Sequence, residues 1–483
     1  MSSALIWSLL SIVYYLAVTL AVLDILHNRR EPRGMLAWIL ALVALPLIGL
    51  FLYMLVGPVP MQRKVQRRIR RRNLIEPSLV QKTAVLEQKH DARGAVRIDA
   101  STRSLMQLAT RVSDAVVTSD NKVVVYHDAE RAFLNLSLAI EAAEQHVHME
   151  YYIFADDETG RAMRDLLVRK AGQGVEVRLL LDAVGCWSLS RRFVKEMKAG
   201  GVRVEFFLPW GLTNRRLQLN CRNHRKLTVV DGVLAFSGSK NIADEYLGRK
   251  RRKLGPWIDT HLQFEGPCVI QMQEVFVEDW HFATGSDLVS STYFPAPVVA
   301  GEHLVQVVPS GPDGRSDVMH QLLNAAVADA DHSITFITPY FVPDRAMILA
   351  LTSAAYRGVR VRLLLPSRSD HWLVLWAGRT YYEDLLEAGV EIYEFDEAMI
   401  HSKVVVVDER WSMVGSANMD IRSFQLNFEL TNILYDRGVA SMLLSDFEPI
   451  FVRSRRVQER DVHAWTYPQT LAAGLARLAT PIL

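Results

Sequence analysis

The segment HRKLTVVD at residues 224–231 returns as HSKVVVVD at residues 401–408. Each copy reads His-x-Lys, four apolar or β-branched residues, then Asp. Each is followed by a glycine-led cluster, Gly238-Ser239-Lys240-Asn241 in the first and Gly415-Ser416-Ala417-Asn418 in the second. A short apolar run between polar ends reads as a buried strand. Side chains two apart in a strand share a face, so His224 and Lys226, and likewise His401 and Lys403, are expected to point into one cleft. A chance surface pair would not recur with identical spacing, and a packed core does not select His and Lys inward. The duplicated motif therefore points to an α/β body with one chemically equipped strand in each half.

Outward from the motifs the duplication continues. GVEVRLLL at 174–181 returns as GVRVRLLL at 358–365, and AGGVRVEFF at 199–207 returns as AGVEIYEF at 388–395. Beyond about residue 120, β-branched runs alternate with helical stretches, the pattern of βαβ units. Such runs suit parallel strands covered on both faces. The expected halves are 121–295 and 296–483. The first carries an additional loop, PWGLTNRRLQLNCRN at 209–223, placed to border a substrate entrance.

The other end of the chain is of a different kind. ALIWSLLSIVYYLAVTLAVL at 4–23 contains no charge, and its length matches the roughly 20 helical residues that cross a bilayer core. A second apolar run spans 34–56, with the polar HNRREPR between them. The two runs predict a transmembrane helical hairpin over 1–60, its second helix kinked at Pro46. A basic n-region and an A-x-A-like cleavage site are both missing, which argues against a signal peptide. RKVQRRIRRR at 63–72 opens a basic linker over 61–120 and outweighs the arginines of the turn. The positive-inside rule then places the catalytic body in the cytoplasm, and the same cluster could gather anionic lipid.

The chain is 50% apolar yet 22% charged, consistent with an enzyme body carrying a membrane anchor. A net charge of +2 supplies no global field to select nucleic acid. Cys186, Cys221 and Cys268 are odd in number and scattered, supporting neither a disulfide framework nor a zinc cluster.

The paired motif resembles that of the phospholipase D superfamily, and the flanking segments are similar to those of the bacterial cardiolipin synthases. Those segments are RREPRGMLAWILALVALPLIG at 29–49, MEYYIF at 149–154, RNHRK at 222–226, SGP at 310–312, TPYFVPD at 338–344, SDHWLV at 369–374 and GSANMDIRSFQLNFE at 415–429. The resemblance runs from the hairpin to the terminal PIL. It implies two α/β/α sandwich domains about a pseudo-twofold axis, preceded by two transmembrane helices, in a bacterial cytoplasmic membrane.

The resemblance further implies that both histidines meet at one phosphate: His224 attacks phosphorus, and His401 protonates the leaving oxygen and deprotonates the incoming one. The symmetry of the motifs leaves the two roles exchangeable. Lys226, Lys403, Asn241 and Asn418 would neutralise the phosphate oxygens, with Ser239 and Ser416 beside them, so that no metal or cofactor is called for. Asp259 and Glu429, on apolar strands after the asparagines, would hold the imidazoles. Asp231 and Asp408 complete the motifs and read as acceptors for nearby backbone. RKRRK at 249–253 could hold an anionic head group or form a solvated loop. Asp370 and His371 are weaker candidates for touching a glycerol moiety.

The expected reaction joins two phosphatidylglycerol molecules into cardiolipin and glycerol. Phosphatidylethanolamine as donor, a water-using phospholipase or nuclease, and a membrane scaffold with a decayed site are the alternatives.

Overall fold

Each motif strand consists of side chains that water would have to leave, and every residue of both LTVV and VVVV is buried. The computed structural model describes residues 3–27, 32–45, 47–56, 99–209, 220–249, 256–312, 317–478 and 480. Pro46, the basic run at 63–72, most of the 209–223 loop, RKRRK beyond Arg249 and the closing PIL lie outside them.

The first half supplies β1 (Val117–Tyr126), β2 (His146–Tyr151), β3 (Glu176–Asp182), β4 (Arg203–Phe207), β5 (Lys226–Val230), β6 (Leu234–Gly238), the short β7 (Trp257–Ile258) and β8 (His261–Glu265). The second supplies β9 (His303–Ser310), β10 (Ser333–Ile337), β11 (Phe341–Val342), β12 (Arg360–Pro366), β13 (Glu391–Phe395), β14 (Met399–Ile400), β15 (Val404–Val407), β16 (Trp411–Gly415), β17 (Met419–Asp420), β18 (Glu429–Leu434) and β19 (Arg455–Arg456). Fifteen of these join one sheet, in the order β19-β13-β12-β10-β15-β16-β18-β9-β1-β8-β6-β5-β2-β3-β4. Outward from the antiparallel β1·β9 junction the two halves repeat the same order, β1-β8-β6-β5-β2-β3-β4 against β9-β18-β16-β15-β10-β12-β13. The pseudo-twofold relation between the halves thus passes between β1 and β9.

Within the fifteen-stranded sheet the expected parallel arrangement holds, among the described residues, for β2·β3·β4 and β10·β12·β13 alone. The motif strands β5 and β15 instead run antiparallel to β2 and β10. This reversal matters for chemistry. It sets Lys226 opposite Tyr151 and Val404 opposite Ile337, so each motif begins at the edge where the parallel strands end. His224, His401 and Lys403 themselves lie just ahead of their strands.

The core is shared. Phe207 of the first half meets Phe428 of the second edge-on at 4.9 Å, in a cluster that also holds Leu227, Val404 and Leu430. Full burial of such side chains stabilises by roughly 1.5–3 kcal/mol each, which welds the halves together. The stretch expected to be linker ends in a helix, Ala100–Ser113, started by the side chain of Asp99 on Thr102 N–H. Leu105, Met106 and Ala109 sink into the core of the second half, and Gln306 Nε2 donates to Met106 O at 3.1 Å.

At the N-terminus, α1 (Ser3–His27) is, among the described residues, the one helix long and apolar enough to cross a membrane. The second apolar run is broken rather than kinked, into α2 (Pro32–Ala44) and α3 (Ile48–Val56). Leu47 in the break takes φ +64°, and a Cβ on Gly49 would lie 2.2 Å from Ala41 O. The chain therefore folds back closely where a continuous helix was expected. Ala21, Ile25, Leu42 and Tyr53 pack together, and Tyr53 donates its hydroxyl to Asp24 at 2.5 Å.

Candidate active site

The motif aspartates are placed first, because they stand apart from the histidines. Asp231 and Asp408 follow their strands with φ +52° and +49°, in the left-handed region that Asp tolerates better than most residues. Asp231 accepts the N–H groups of Glu144, Gln145 and His146 at 2.7–2.8 Å. Asp408 accepts those of Asp331, His332 and Ser333 at 2.6–2.9 Å. Each carboxylate fills a nest of successive amides and pins the entry of β2 or β10, a whole strand length from its motif histidine. Asp231 and Asp408 thus accept nearby backbone, as the sequence suggests, and because a strand rises about 3.3 Å per residue they cap the end far from the histidines.

The histidines are held from across the molecule. His224 N–H donates to Phe428 O, and Phe428 N–H to Arg222 O, both at 2.8 Å. His401 N–H donates to Ile258 O at 2.8 Å, where β14 pairs with β7. Because Glu429 follows Phe428 and Asp259 follows Ile258, this backbone exchange delivers each carboxylate to the other half's imidazole. His224 Nδ1 lies 2.9 Å from Glu429 Oε2, and His401 Nδ1 lies 2.8 Å from Asp259 Oδ2. An ionised carboxylate only accepts, so each Nδ1 carries the proton and each Nε2 is left as an acceptor.

Both carboxylates are fully buried and are anchored by further donors. Ser416 donates to Glu429 at 2.5 Å, Ser423 at 3.0 Å and Asn427 at 3.3 Å. Ser239 donates to Asp259, and Thr260 N–H does so at 2.9 Å. The serines after the glycines, Ser239 and Ser416, thus each donate to the carboxylate that holds a histidine. Burial opposes ionisation of Asp259 and Glu429, yet the adjoining histidine holds each carboxyl below its usual range.

Lys226 Nζ donates to His224 O at 2.5 Å, and Lys403 Nζ to His401 O at 2.7 Å. Lys403 Nζ also lies 3.2 Å from His401 Nε2. Each lysine influences both histidines, so four cationic or potentially cationic groups share one buried cleft. Burial brings both imidazoles down to about 4, reinforced for His401 by the ammonium of Lys403. Burial lowers Lys403 to about 8 and Lys226 also falls well below the ordinary lysine range.

The asparagines differ. Asn241 accepts from Ile153 N–H at 3.1 Å and donates to Tyr246 OH at 2.6 Å. Asn418 Oδ1 is buried with no hydrogen-bond partner, in a cavity that it lines with Lys403 and Thr338.

Sequence reasoning assigns no role to several residues that the structure brings to the site. Arg225, the middle residue of the first His-x-Lys, pairs with Asp279 and reaches Glu429 O at 3.0 Å and Ser310 O at 3.2 Å, bracing the opposite half. Its counterpart Ser402 accepts from Thr260 Oγ1 at 3.1 Å. Tyr152 packs edge-on to His224 at 4.9 Å, and Trp257 lies 4.7 Å from His401. Only long-range pairing could reveal these partners. Asp370 accepts from the hydroxyl of Tyr340 at 2.9 Å and stands within electrostatic reach of Lys403, while His371 packs on the Tyr340 ring at 5.6 Å. Among the described residues no cluster of three or more His, Cys, Asp or Glu is arranged to hold a metal ion.

Comparison with known proteins supplies the family. A family model described as cardiolipin synthase, phospholipase D-like domain, matches residues 136–280 and 322–451, and a phospholipase D-nuclease N-terminal model matches 16–58. A cardiolipin synthase from Geobacillus kaustophilus is 37% identical over 98% of this chain and 94% of its own length. The major cardiolipin synthase of Bacillus subtilis is 36% identical over 98% of this chain and 99% of its own length. A phosphatidylserine synthase from Haemophilus influenzae shares the fold, with a TM-score of 0.60 over 80% of this chain and 100% of its own at 13% identity. With α1 and the match at 16–58, the protein is membrane-associated. The duplicated motif, the shared cleft and full-length similarity together place this chain in the cardiolipin synthase family of phospholipase D-like enzymes.

Proposed function

We propose that the protein transfers a phosphatidyl group from one phosphatidylglycerol to another, giving cardiolipin and glycerol. The observation that carries this reading is the pair of histidines in one buried cleft, each locked at Nδ1 by a carboxylate of the opposite half. His224 Nε2 attacks phosphorus as the bond to the glycerol oxygen breaks, and His401 passes its proton to that oxygen. The terminal hydroxyl of a second phosphatidylglycerol then gives its proton to His401 as its oxygen displaces His224 from phosphorus.

Burial brings both imidazoles to about 4, which favours their neutral form at physiological pH. A phosphodiester anion between Lys226 and Lys403 offsets the positive field and favours the proton on His401. The same lysines, with Asn418, stabilise charge on the phosphoryl oxygens. His224 as nucleophile rests on family resemblance. Support for it comes from Lys403, whose ammonium lies against His401 and sharpens that residue as a proton donor.

The same reading places the catalytic halves at about 121–295 and 296–483 in the cytoplasm, with α1–α3 as a membrane-embedded hairpin. The repeated strand order and the packing of α2 and α3 on α1 support it. Lipid analysis after incubating phosphatidylglycerol vesicles with wild type, His224→Ala and His401→Ala tests the reaction. Cardiolipin from wild type alone is expected. Phosphatidic acid in its place, or cardiolipin only when phosphatidylethanolamine is added, would replace the acceptor or the donor respectively.

A further inference from the structure

The reactive ends of both motifs open at the edge where β2, β3, β10 and β12 end, so the loops leaving those strands frame the mouth of the cleft. The loop after β3 packs on Tyr152, where a Cβ at Gly185 would lie 2.0 Å from Tyr152 O, and Tyr152 in turn covers His224. At its tip Trp187 is 81% exposed. In the second half the loop after β12 carries Asp370 and His371 against Tyr340, and then Trp372, 59% exposed. Two tryptophans thus stand at corresponding points of the duplicated fold, one on each side of the mouth.

A second apolar feature adjoins them. The helix that Trp372 begins, Trp372–Arg379, packs against the helix Tyr467–Leu478, with Trp376 and Trp465 edge-on at 5.8 Å. Tyr467–Leu478 buries Ala473 and Ala476 on its inner face. Its outer face presents Tyr467, Leu471, Leu475 and Leu478, between 53% and 82% exposed, at the spacing that forms one helical stripe. Single exposed apolar residues need no explanation, but a stripe and two tryptophans around one opening do.

We propose that this edge rests on the membrane itself, with Trp187 and Trp372 at the headgroup level and the stripe of Tyr467–Leu478 lying in the interface. A bilayer is the occupant favoured here because the chain is already tethered to one by α1, and because both lipids must keep their alkyl chains in it while their headgroups reach the histidines. Tryptophan suits such a boundary, with an apolar ring and one donor. The anchor by itself does not decide which face of the body meets the bilayer. A mouth that sits on the surface removes the need to lift a lipid into water.

The proposal rests on a bilayer-resident lipid substrate, and its test has one arm independent of turnover. Full-length enzyme carrying Leu475→Cys is labelled with bimane, which is selective because Cys186, Cys221 and Cys268 are buried. It is then reconstituted in phosphatidylglycerol vesicles containing doxyl-labelled lipid. Quenching at position 475 is expected, and none at a Tyr356→Cys control, which is exposed at the opposite end of the strands. In the second arm, Trp187→Ala/Trp372→Ala should turn over vesicle phosphatidylglycerol roughly tenfold more slowly while keeping its rate on short-chain phosphatidylglycerol dissolved as monomers. Equal labelling behaviour at 475 and 356, quenching by a spin-labelled second copy of the enzyme and not by lipid, or equal loss on both substrates would overturn the proposal. Quenching at 475 in an enzyme that makes no cardiolipin would leave the surface standing and remove only the reaction.

Discussion

The two half-sites are built on one plan and finished differently. On the first side His224 is held by Glu429, a carboxylate that also receives Ser416, Ser423 and Asn427. On the second, His401 is held by Asp259, which receives Ser239 and a backbone amide, and Lys403 lies against the ring. Asn241 is bound to Tyr246, whereas Asn418 Oδ1 has no partner. Duplication therefore supplies the pairing, and later divergence of the surroundings gives each histidine its own electrostatic setting. In the proposed mechanism, near-symmetry brings two equivalent bases to one phosphate, and its imperfection lets one act as nucleophile and the other as acid.

The sharpest way to break the comparison is to remove the need for an acid. With a phosphatidyl donor carrying a p-nitrophenol leaving group, His401→Ala should still release one equivalent of nitrophenol and retain a phosphorylated enzyme detectable by mass spectrometry. His224→Ala should show neither, and a burst in His224→Ala alone would exchange the roles.

Next in size are the carboxylates. Glu429→Gln and Asp259→Asn should each slow cardiolipin formation roughly 10²–10⁴-fold, the range for losing an effective acid or base. The p-nitrophenyl burst should vanish in Glu429→Gln and survive in Asp259→Asn, because each carboxylate serves the histidine of the opposite half. If both variants lost the burst together, the crossed pairing would not divide the chemistry.

The lysines predict a smaller, pH-dependent effect. Lys403, lowered to about 8 by burial, is charged below that pH and neutral above it, so kcat/KM should decline as pH rises through about 8. Arginine keeps its charge across this range, so Lys403→Arg, whatever its cost at neutral pH, should move the alkaline decline upward. An unmoved decline would assign it to another group.

The smallest effect belongs where the halves agree. Asp231→Ala and Asp408→Ala each orphan three backbone donors, and each should destabilise by about 1–3 kcal/mol in denaturant unfolding while folded enzyme keeps its kcat. A large kcat defect in either would draw the motif aspartate back into the chemistry.

Much of this was legible along the chain. The period-two pattern and paired spacing of 224–231 and 401–408 mark the strands, the histidines and the lysines, because strand geometry is local. The uncharged run at 4–23 likewise marks α1. The broken second run was harder to read, since apolar composition measures length of greasy surface and not whether the backbone stays helical through Leu47. The carboxylate partners of the serines were hidden for a related reason. A hydroxyl beside a glycine suits a phosphate as well as a carboxylate, and the choice depends on which strand lies opposite.

By itself, then, the sequence determined which residues could do chemistry, that they come in two sets, and that a membrane helix precedes them, all consequences of local spacing and hydrophobicity. Only the tertiary structure decided that Glu429 serves His224 and Asp259 serves His401, across separations of 205 and 142 residues. The physical reason is that a histidine's partner is chosen by the backbone pairing at Phe428 and Ile258, and by burial that leaves each charge no other place to go. Neither leaves a trace in the order of neighbouring residues.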